Sequence, residues 1–100
     1  MAFPAGDLDA TLAAAAGDDF ALMTELRAMF LASARRQADL LRRARCDGNW
    51  QVAAMRIKGL AASFNAEALM ALADEALEAA PGDPGVVRRI QAAIDAFSED

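Results

Sequence analysis

The sequence contains no histidine and no tyrosine, and its one cysteine is Cys46. Histidine is the side chain that most often moves protons near neutral pH and most often binds metal ions. Its absence excludes many enzyme mechanisms and leaves no evident metal or cofactor site. A single cysteine forms no disulfide within the chain, which fits a reducing compartment without requiring one. Because Cys46 falls near the predicted C-terminal end of a helix, where no helix dipole activates a thiolate, we predict that it packs.

Long apolar runs are lacking as well. No stretch approaches the ~18 consecutive apolar residues of a membrane-spanning helix. The first residues, MAFPAGD, show no basic segment followed by an apolar one, as a signal peptide would. We therefore expect a cytoplasmic protein that does not associate with membranes.

Alanine, by contrast, is abundant, at 27 of the 100 residues. Alanine has the highest helix propensity, whereas the β-branched and aromatic residues typical of strands are scarce. The length fits one compact domain with a single core. The composition therefore predicts one all-α domain over residues 1–100.

Glycine, proline and asparagine divide the chain into helical segments. Gly17 ends a short first helix, Asp18 or Asp19 caps a long second one, and Asp47-Gly48-Asn49 is predicted to be a tight connection. Asn65 is predicted to follow the third helix in a left-handed conformation. The predicted architecture is an antiparallel four-helix bundle with a short N-terminal capping helix. Its helices span about 7–16, 18–46, 49–64, 66–79 and 84–97.

Charge is unevenly distributed along this acidic chain, whose formal net charge is −5. Residues 1–26 carry five acids and no base, residues 27–58 carry eight bases and two acids, and residues 59–100 carry eight acids and two bases. We expect no nucleic-acid binding, because the domain is not basic overall and lacks aromatic interleaving. The basic residues are predicted to form a solvated helix face, or in part to meet an acidic protein partner. They include Arg35, Arg36, Arg42, Arg43 and Arg45.

An acidic cluster on the predicted fourth helix comprises Asp74, Glu75 and Glu78. Its oxygens are of the type that binds divalent cations. No convergent ligands are evident elsewhere in the sequence, so we expect this cluster to be a solvated helix face and predict no metal site.

The predicted third helix carries an apolar residue on its outer side. At about 100° per residue, six residues fall within an arc of about 100° that is predicted to face the core. They are Trp50, Ala53, Ile57, Leu60, Ala61 and Phe64. Met55 lies nearly opposite this arc, together with Gln51, Gly59 and Ala62, and with Lys58 at the margin.

Gly59 makes this outer side unusual. A glycine in an exposed helix interior costs up to about 1 kcal/mol relative to alanine, and it is expected where another surface approaches the backbone closely. We therefore predict a partner-binding face, hereafter the Met55 face, formed by Gln51, Met55, Lys58, Gly59 and Ala62. The alternative is that Met55 is an incidental exposed apolar residue and Lys58 a solvated lysine.

This stretch resembles the histidine-containing phosphotransfer (HPt) domain of two-component phosphorelays. The signature of that family is His, any residue, Leu, Lys, Gly, followed by small residues and by Gly-Ala after the helix. Met55-Arg56-Ile57-Lys58-Gly59 matches at the aliphatic, Lys and Gly positions, and Asn65-Ala66 stands for Gly-Ala. Weaker matches follow in order along the chain, at Asp7-Leu8, Gly17-Asp18, Phe30 and Leu77-Glu78.

The chain departs from the family at Met55, which occupies the position of the phosphoacceptor histidine. An imidazole nitrogen attacks a phosphoaspartate and holds the phosphoryl group, whereas a thioether forms no comparable adduct. In the family, the lysine matching Lys58 stabilises phosphate and the glycine matching Gly59 admits the acidic pocket of a receiver domain. Gln51 and Ala62 match positions that contact the partner. Ser63 lies some 80° round the helix from Met55 and is a poor substitute acceptor.

The resemblance thus implies a phosphorelay signalling protein that docks a response-regulator receiver domain or a histidine kinase. It implies no catalytic residue and no cofactor, so the protein is expected to be a non-phosphorylatable adaptor or inhibitor and not an enzyme. Two alternatives stay open. One is active phosphotransfer through an unusual acceptor, and the other is a structural helical bundle that dimerises. The expected state in solution is a monomer or a weak dimer.

Overall fold

The fold, taken from a computed structural model that describes residues 6–98, is built of α-helices, with no strand in that range. The predicted all-α class is confirmed. No helix within residues 6–98 is both long and apolar enough to cross a membrane. The predicted domain of residues 1–100 includes residues 1–5 and 99–100, which lie outside the described part. The helices are α1 (Gly6–Ala16), α2 (Phe20–Arg43), α3 (Asp47–Ser63), α4 (Glu67–Glu78) and α5 (Pro84–Phe97).

Side chains and turn residues define most helix ends as predicted. Asp19 is the N-cap of α2, and its Oδ1 accepts a hydrogen bond from the Leu22 N–H at 3.0 Å. Asn65 follows α3 with a φ of 59°, so the predicted left-handed residue is confirmed. The Ala66 N–H donates to the Ala61 carbonyl at 2.8 Å across this turn. This is the bond of a Schellman motif, which reverses the chain within three residues.

The connection between α2 and α3 differs from the prediction. Asp47, Gly48 and Asn49 form the first turn of α3, and the link is the three residues 44–46. A carboxylate in a first turn interacts favourably with the helix dipole, which explains why Asp47 is helical. Cys46 is the N-cap of α3 and is exposed. The predictions that Cys46 lies at the end of α2 and that it packs are therefore wrong.

One hydrophobic cluster takes in residues from all five helices. Helix α2 contacts α3 and α5, and α4 also contacts α3 and α5, so these four helices close a cycle, while α1 packs on α2. Helix α1 contributes Leu8 and Leu12, which are almost fully buried. The apolar residues on one side of α5 are all buried. They are Val87, Ile90, Ala93, Ile94 and Phe97.

Arg27 joins three of the helices. Its guanidinium pairs with the Asp9 carboxylate of α1 and donates to the Phe97 carbonyl at the end of α5, at 3.1 Å. The Arg27 side chain is 21% exposed, so much of its stem lies against the protein. These contacts of Arg27 connect α1 to α2 and α5.

Candidate functional site

The inner side of α3 is buried almost completely. Trp50 is fully buried, and its indole N–H donates to the Ala76 carbonyl of α4 at 2.8 Å. Ala53, Ile57 and Ala61 are buried as predicted, whereas Leu60 and Phe64 are only partly buried at the edge of the core. Ala54 is fully buried although it was not predicted to be. The buried arc of α3 is thus wider than the sequence indicated.

The outer side of α3 presents the Met55 face to solvent. Met55 is 61% exposed, and Gln51, Gly59 and Ala62 are exposed as well. A methyl group placed on Gly59 would meet no heavy atom within 4 Å apart from its own helix and chain neighbours. Gly59 also has no left-handed backbone conformation to accommodate. Nothing in the described part of the fold therefore requires glycine at this position.

The side chains of two polar residues of the Met55 face approach residues of α4. The Lys58 ammonium lies 2.8 Å from the Asp74 carboxylate, and both side chains are about half exposed. The Gln51 side-chain amide approaches the Leu77 carbonyl, with the Nε2 and O atoms 3.5 Å apart. Lys58 is therefore at the margin of the face, as predicted, and its charge is directed along the boundary between α3 and α4.

Ser63 is the one hydroxyl on α3, and it is already engaged. Its Oγ donates to the Gly59 carbonyl one turn earlier at 3.0 Å. The hydroxyl is exposed, but no carboxylate or cation pairs with it within residues 6–98. The geometry gives it none of the neighbours that activate a nucleophile.

Two acidic residues of α4 form separate ion pairs. Asp74 pairs with Lys58, and Glu75 pairs with Arg89 of α5 at 2.9 Å. Within the described range, no three potential ligands of the His, Cys, Asp or Glu type converge as a metal site would require. All three members of the predicted cluster, including Glu78, are exposed. They form the predicted solvated helix face.

The five arginines that were predicted to form a solvated helix face, or in part to meet an acidic partner, are all exposed. Exposure is compatible with both predictions. The Asp39 carboxylate accepts a hydrogen bond from Arg42 at 2.7 Å and forms an ion pair with Arg43 at 3.1 Å. The Arg42 hydrogen bond, with the charges of Arg43 and Arg42, lowers the pKa of Asp39 below its ordinary 3.8. Arg35 lies 3.6 Å from Asp95 of α5.

Sequence reasoning missed three features next to the Met55 face. Val52 and Leu40 are 49% and 38% exposed, although both are large and apolar. Val52 is about 60° from Met55 on a helical wheel, so its exposure could have been anticipated. The contact of Lys58 with Asp74 depends on how α3 and α4 are aligned, which no spacing within either helix reveals.

Comparison with family models, with curated proteins and with solved structures found no match to the chain. The HPt resemblance therefore rests on the sequence motif around Met55 and on the weaker matches along the chain. Any function assigned on that basis is a proposal.

Proposed function

We propose that the chain is a single-domain, degenerate HPt protein that works in the cytoplasm. In this proposal its helices form an antiparallel four-helix bundle capped by α1. It docks a response-regulator receiver domain, or a histidine kinase, and carries no phosphate. The cyclic contacts among α2, α3, α4 and α5 support the bundle arrangement.

The observation that carries the proposal is the open space around Gly59, beside the exposed Met55. The methyl group of an alanine at position 59 would meet no other part of residues 6–98 within 4 Å, and alanine would favour the helix by up to about 1 kcal/mol. A residue that costs folding energy and serves no internal contact is expected where an outside surface approaches the backbone. Met55 adds an unbranched, polarizable side chain that adapts to a partner. These two residues favour docking over an incidental exposed surface.

The proposed docking does not include phosphotransfer. The thioether of Met55 has no ionisable proton and forms no phosphoryl adduct comparable to that of imidazole. The Ser63 hydroxyl donates to the Gly59 carbonyl, and within residues 6–98 it has no hydrogen bond to a basic side chain or carboxylate. We therefore favour an adaptor or inhibitor over active phosphotransfer through an unusual acceptor.

Lys58 supplies the charge for docking an acidic receiver pocket. Its partner Asp74 is 54% exposed, and an exposed ion pair of this kind contributes at most about 1 kcal/mol. A receiver carboxylate that approaches Met55 can therefore take the place of Asp74 at small cost.

A second candidate function is dimerisation through α2 and α3. Six large apolar side chains on these helices are exposed, among them Met29 and Leu40 on α2 and Val52 and Met55 on α3. Such exposed apolar residues are typical of surfaces that contact another protein. A dimer built on this side of the molecule would cover the Met55 face and compete with a receiver domain.

The test is a titration of the ¹⁵N-labelled protein with a panel of purified receiver domains, followed by NMR and calorimetry. We expect at least one receiver to shift the signals of Met55, Gly59 and Ala62. Met55→Asp and Gly59→Leu should each abolish that binding. Ala92→Asp and Ala92→Leu place the same side chains on the exposed side of α5 and should leave it unchanged. Binding that survives both Met55-face variants would overturn the proposed surface.

Two further measurements separate the alternatives. Sedimentation over a range of concentrations reports dimerisation, which Met55→Asp should prevent if the dimer covers this face. Transfer of labelled phosphate from a phosphorylated receiver to the unmodified protein would contradict the proposed lack of phosphotransfer. Transfer to Met55→His alone would support it, because it would show that only the acceptor is missing.

A further inference from the structure

A groove of about 490 Å³ lies between α2 and α3, on the side of α3 next to the Met55 face. Its apolar lining includes Leu40 and Ala44 on one wall and Val52 on the other. Arg43 and Arg56 also line it, one from each helix. We refer to it as the α2–α3 groove.

The apolar part of the groove is unusually open to solvent. Leu40 is 38% exposed and Val52 is 49% exposed, whereas the neighbouring Leu41 and Ala53 are buried in the core. Two large apolar side chains thus face each other across a concave surface without covering one another completely. An apolar seam between two helices is the type of surface that accepts a third helix.

The charge around this seam is positive. Arg56 pairs with no carboxylate within residues 6–98, and Arg36, one turn before Leu40, contacts only the Ser33 hydroxyl there, at 3.3 Å. Arg43 pairs with Asp39, but both side chains are about half exposed, so a competing carboxylate displaces this contact at little cost. The surroundings of the groove therefore favour negatively charged partners.

We propose that the α2–α3 groove binds a short acidic amphipathic helix of a partner protein. The distance along the helix axis from Leu40 to Ala44, the C-cap residue of α2, is about 6 Å, which is little more than one helical turn. The groove therefore suits two apolar anchors spaced i and i+4, with flanking Glu or Asp residues that pair with Arg43 and Arg56. The apolar seam, the net charge of −5 and the lack of an aromatic side chain in the groove disfavour nucleic acid.

This inference goes beyond the proposed function, because the groove is a different surface from the one formed by Gln51, Met55, Lys58, Gly59 and Ala62. The acidic helix need not belong to a receiver domain. Gly59→Leu should abolish receiver binding while leaving the groove intact. The two proposals can therefore fail independently.

The test uses two synthetic peptides of about 14 residues, a length at which an isolated helix is marginal in water, so that helix formation accompanies binding. One carries leucines at i, i+4 spacing with glutamates at all flanking positions, and the other replaces every glutamate by lysine. Each peptide is titrated into the ¹⁵N-labelled full chain at low and at high salt. We expect the glutamate peptide to bind, to shift the signals of Leu40, Val52 and Arg56, and to weaken as salt rises. The lysine peptide should not bind.

Matched variants locate the interaction. Arg43→Glu and Arg56→Glu should each lower the affinity for the glutamate peptide about tenfold or more. Leu40→Asp should lower it by a similar factor, because it places a charge in the apolar lining of the groove. Arg88→Glu, on the exposed side of α5, should change the affinity less than twofold, about the size of a screened long-range charge effect. Circular dichroism and the fluorescence of buried Trp50 verify that each variant is folded.

Several results would overturn the proposal. Equal affinity for both peptides, no binding of the glutamate peptide, or shifts confined to other surfaces would each do so. Tighter binding of a single-stranded oligonucleotide at the same residues would assign the groove to nucleic acid. Concentration-dependent shifts of Leu40 and Val52 in the free protein would assign it to a second copy of the chain.

Discussion

The two sides of α3 obey different constraints, although they belong to the same 17-residue helix. On the inner side, Trp50 and Ile57 are fully buried and each has an evident role in the core. On the outer side, Met55 is 61% exposed, and nothing in the described part of the fold requires glycine at position 59, where it lowers helix stability. Folding explains the inner residues, whereas the outer ones are explained better by a partner.

The largest expected difference between the two sides comes from truncating Ile57 and Met55, two positions apart. Ile57→Ala leaves a cavity in a fully buried site and should lower the free energy of unfolding by about 3 kcal/mol. Met55→Ala should change it by less than about 0.5 kcal/mol, because the side chain is mostly in solvent. Urea unfolding followed by Trp50 fluorescence measures both. Similar losses in the two variants would show that Met55 is part of the core.

The second prediction concerns a buried polar atom on α2, the helix that packs against α3. The Gln37 side-chain oxygen is buried and accepts no hydrogen bond from any residue in the range 6–98. An unsatisfied buried polar group is costly, so Gln37→Leu should raise the free energy of unfolding by about 1 kcal/mol. Gln51→Leu, on the exposed side of α3, serves as the control and should have little effect. A loss of stability in Gln37→Leu would contradict this assignment.

The third prediction applies to the outer side. Gly59→Ala should raise the free energy of unfolding by up to about 1 kcal/mol, since alanine favours the helix and the added methyl group would meet no other part of residues 6–98 within 4 Å. Thermal unfolding by circular dichroism measures the change. A fall in stability would mean that the space above Gly59 is filled within the chain, and the argument for an outside partner would then be lost.

The smallest change in the free energy of unfolding is expected from replacing an exposed charged residue. The pKa of Asp39 is lowered chiefly by the Arg42 hydrogen bond, so its ionised form is favoured in the folded state. The resulting stabilisation is present above the ordinary pKa of 3.8 and is lost as pH falls through the lower folded value. The stability advantage of the unmodified protein over Asp39→Asn should therefore shrink as pH is lowered below 3.8. An advantage that grows in acid would contradict the sign of this shift.

Local signals in the sequence predicted the helices well, because their ends are encoded by single residues. Asp19 caps the start of α2, and Asn65 adopts the left-handed conformation that follows the end of α3. The link between α2 and α3 was misplaced because Asp-Gly-Asn is typical of turns, yet Asp47 is equally suited to the first turn of a helix. Cys46 was misassigned as a consequence.

The candidate site was predictable only in part. Helical periodicity was enough to predict that Met55, Gly59, Gln51 and Ala62 share an exposed side. The Lys58 contact with Asp74 and the groove beside Val52 arise from the packing of one helix against another. A spacing rule within one helix carries no information about such contacts.

The most direct test of a docking surface on the outer side of α3 is to measure stability and receiver binding together in three proteins. These are the unmodified protein and its variants Gly59→Ala and Gly59→Leu. We predict that Gly59→Ala folds more stably than the unmodified protein but binds a receiver domain more weakly, and that Gly59→Leu binds least. Opposite changes in folding and binding would show that glycine is present for the partner. Equal receiver affinity in all three proteins would contradict the claim that the outer side of α3 is a docking surface.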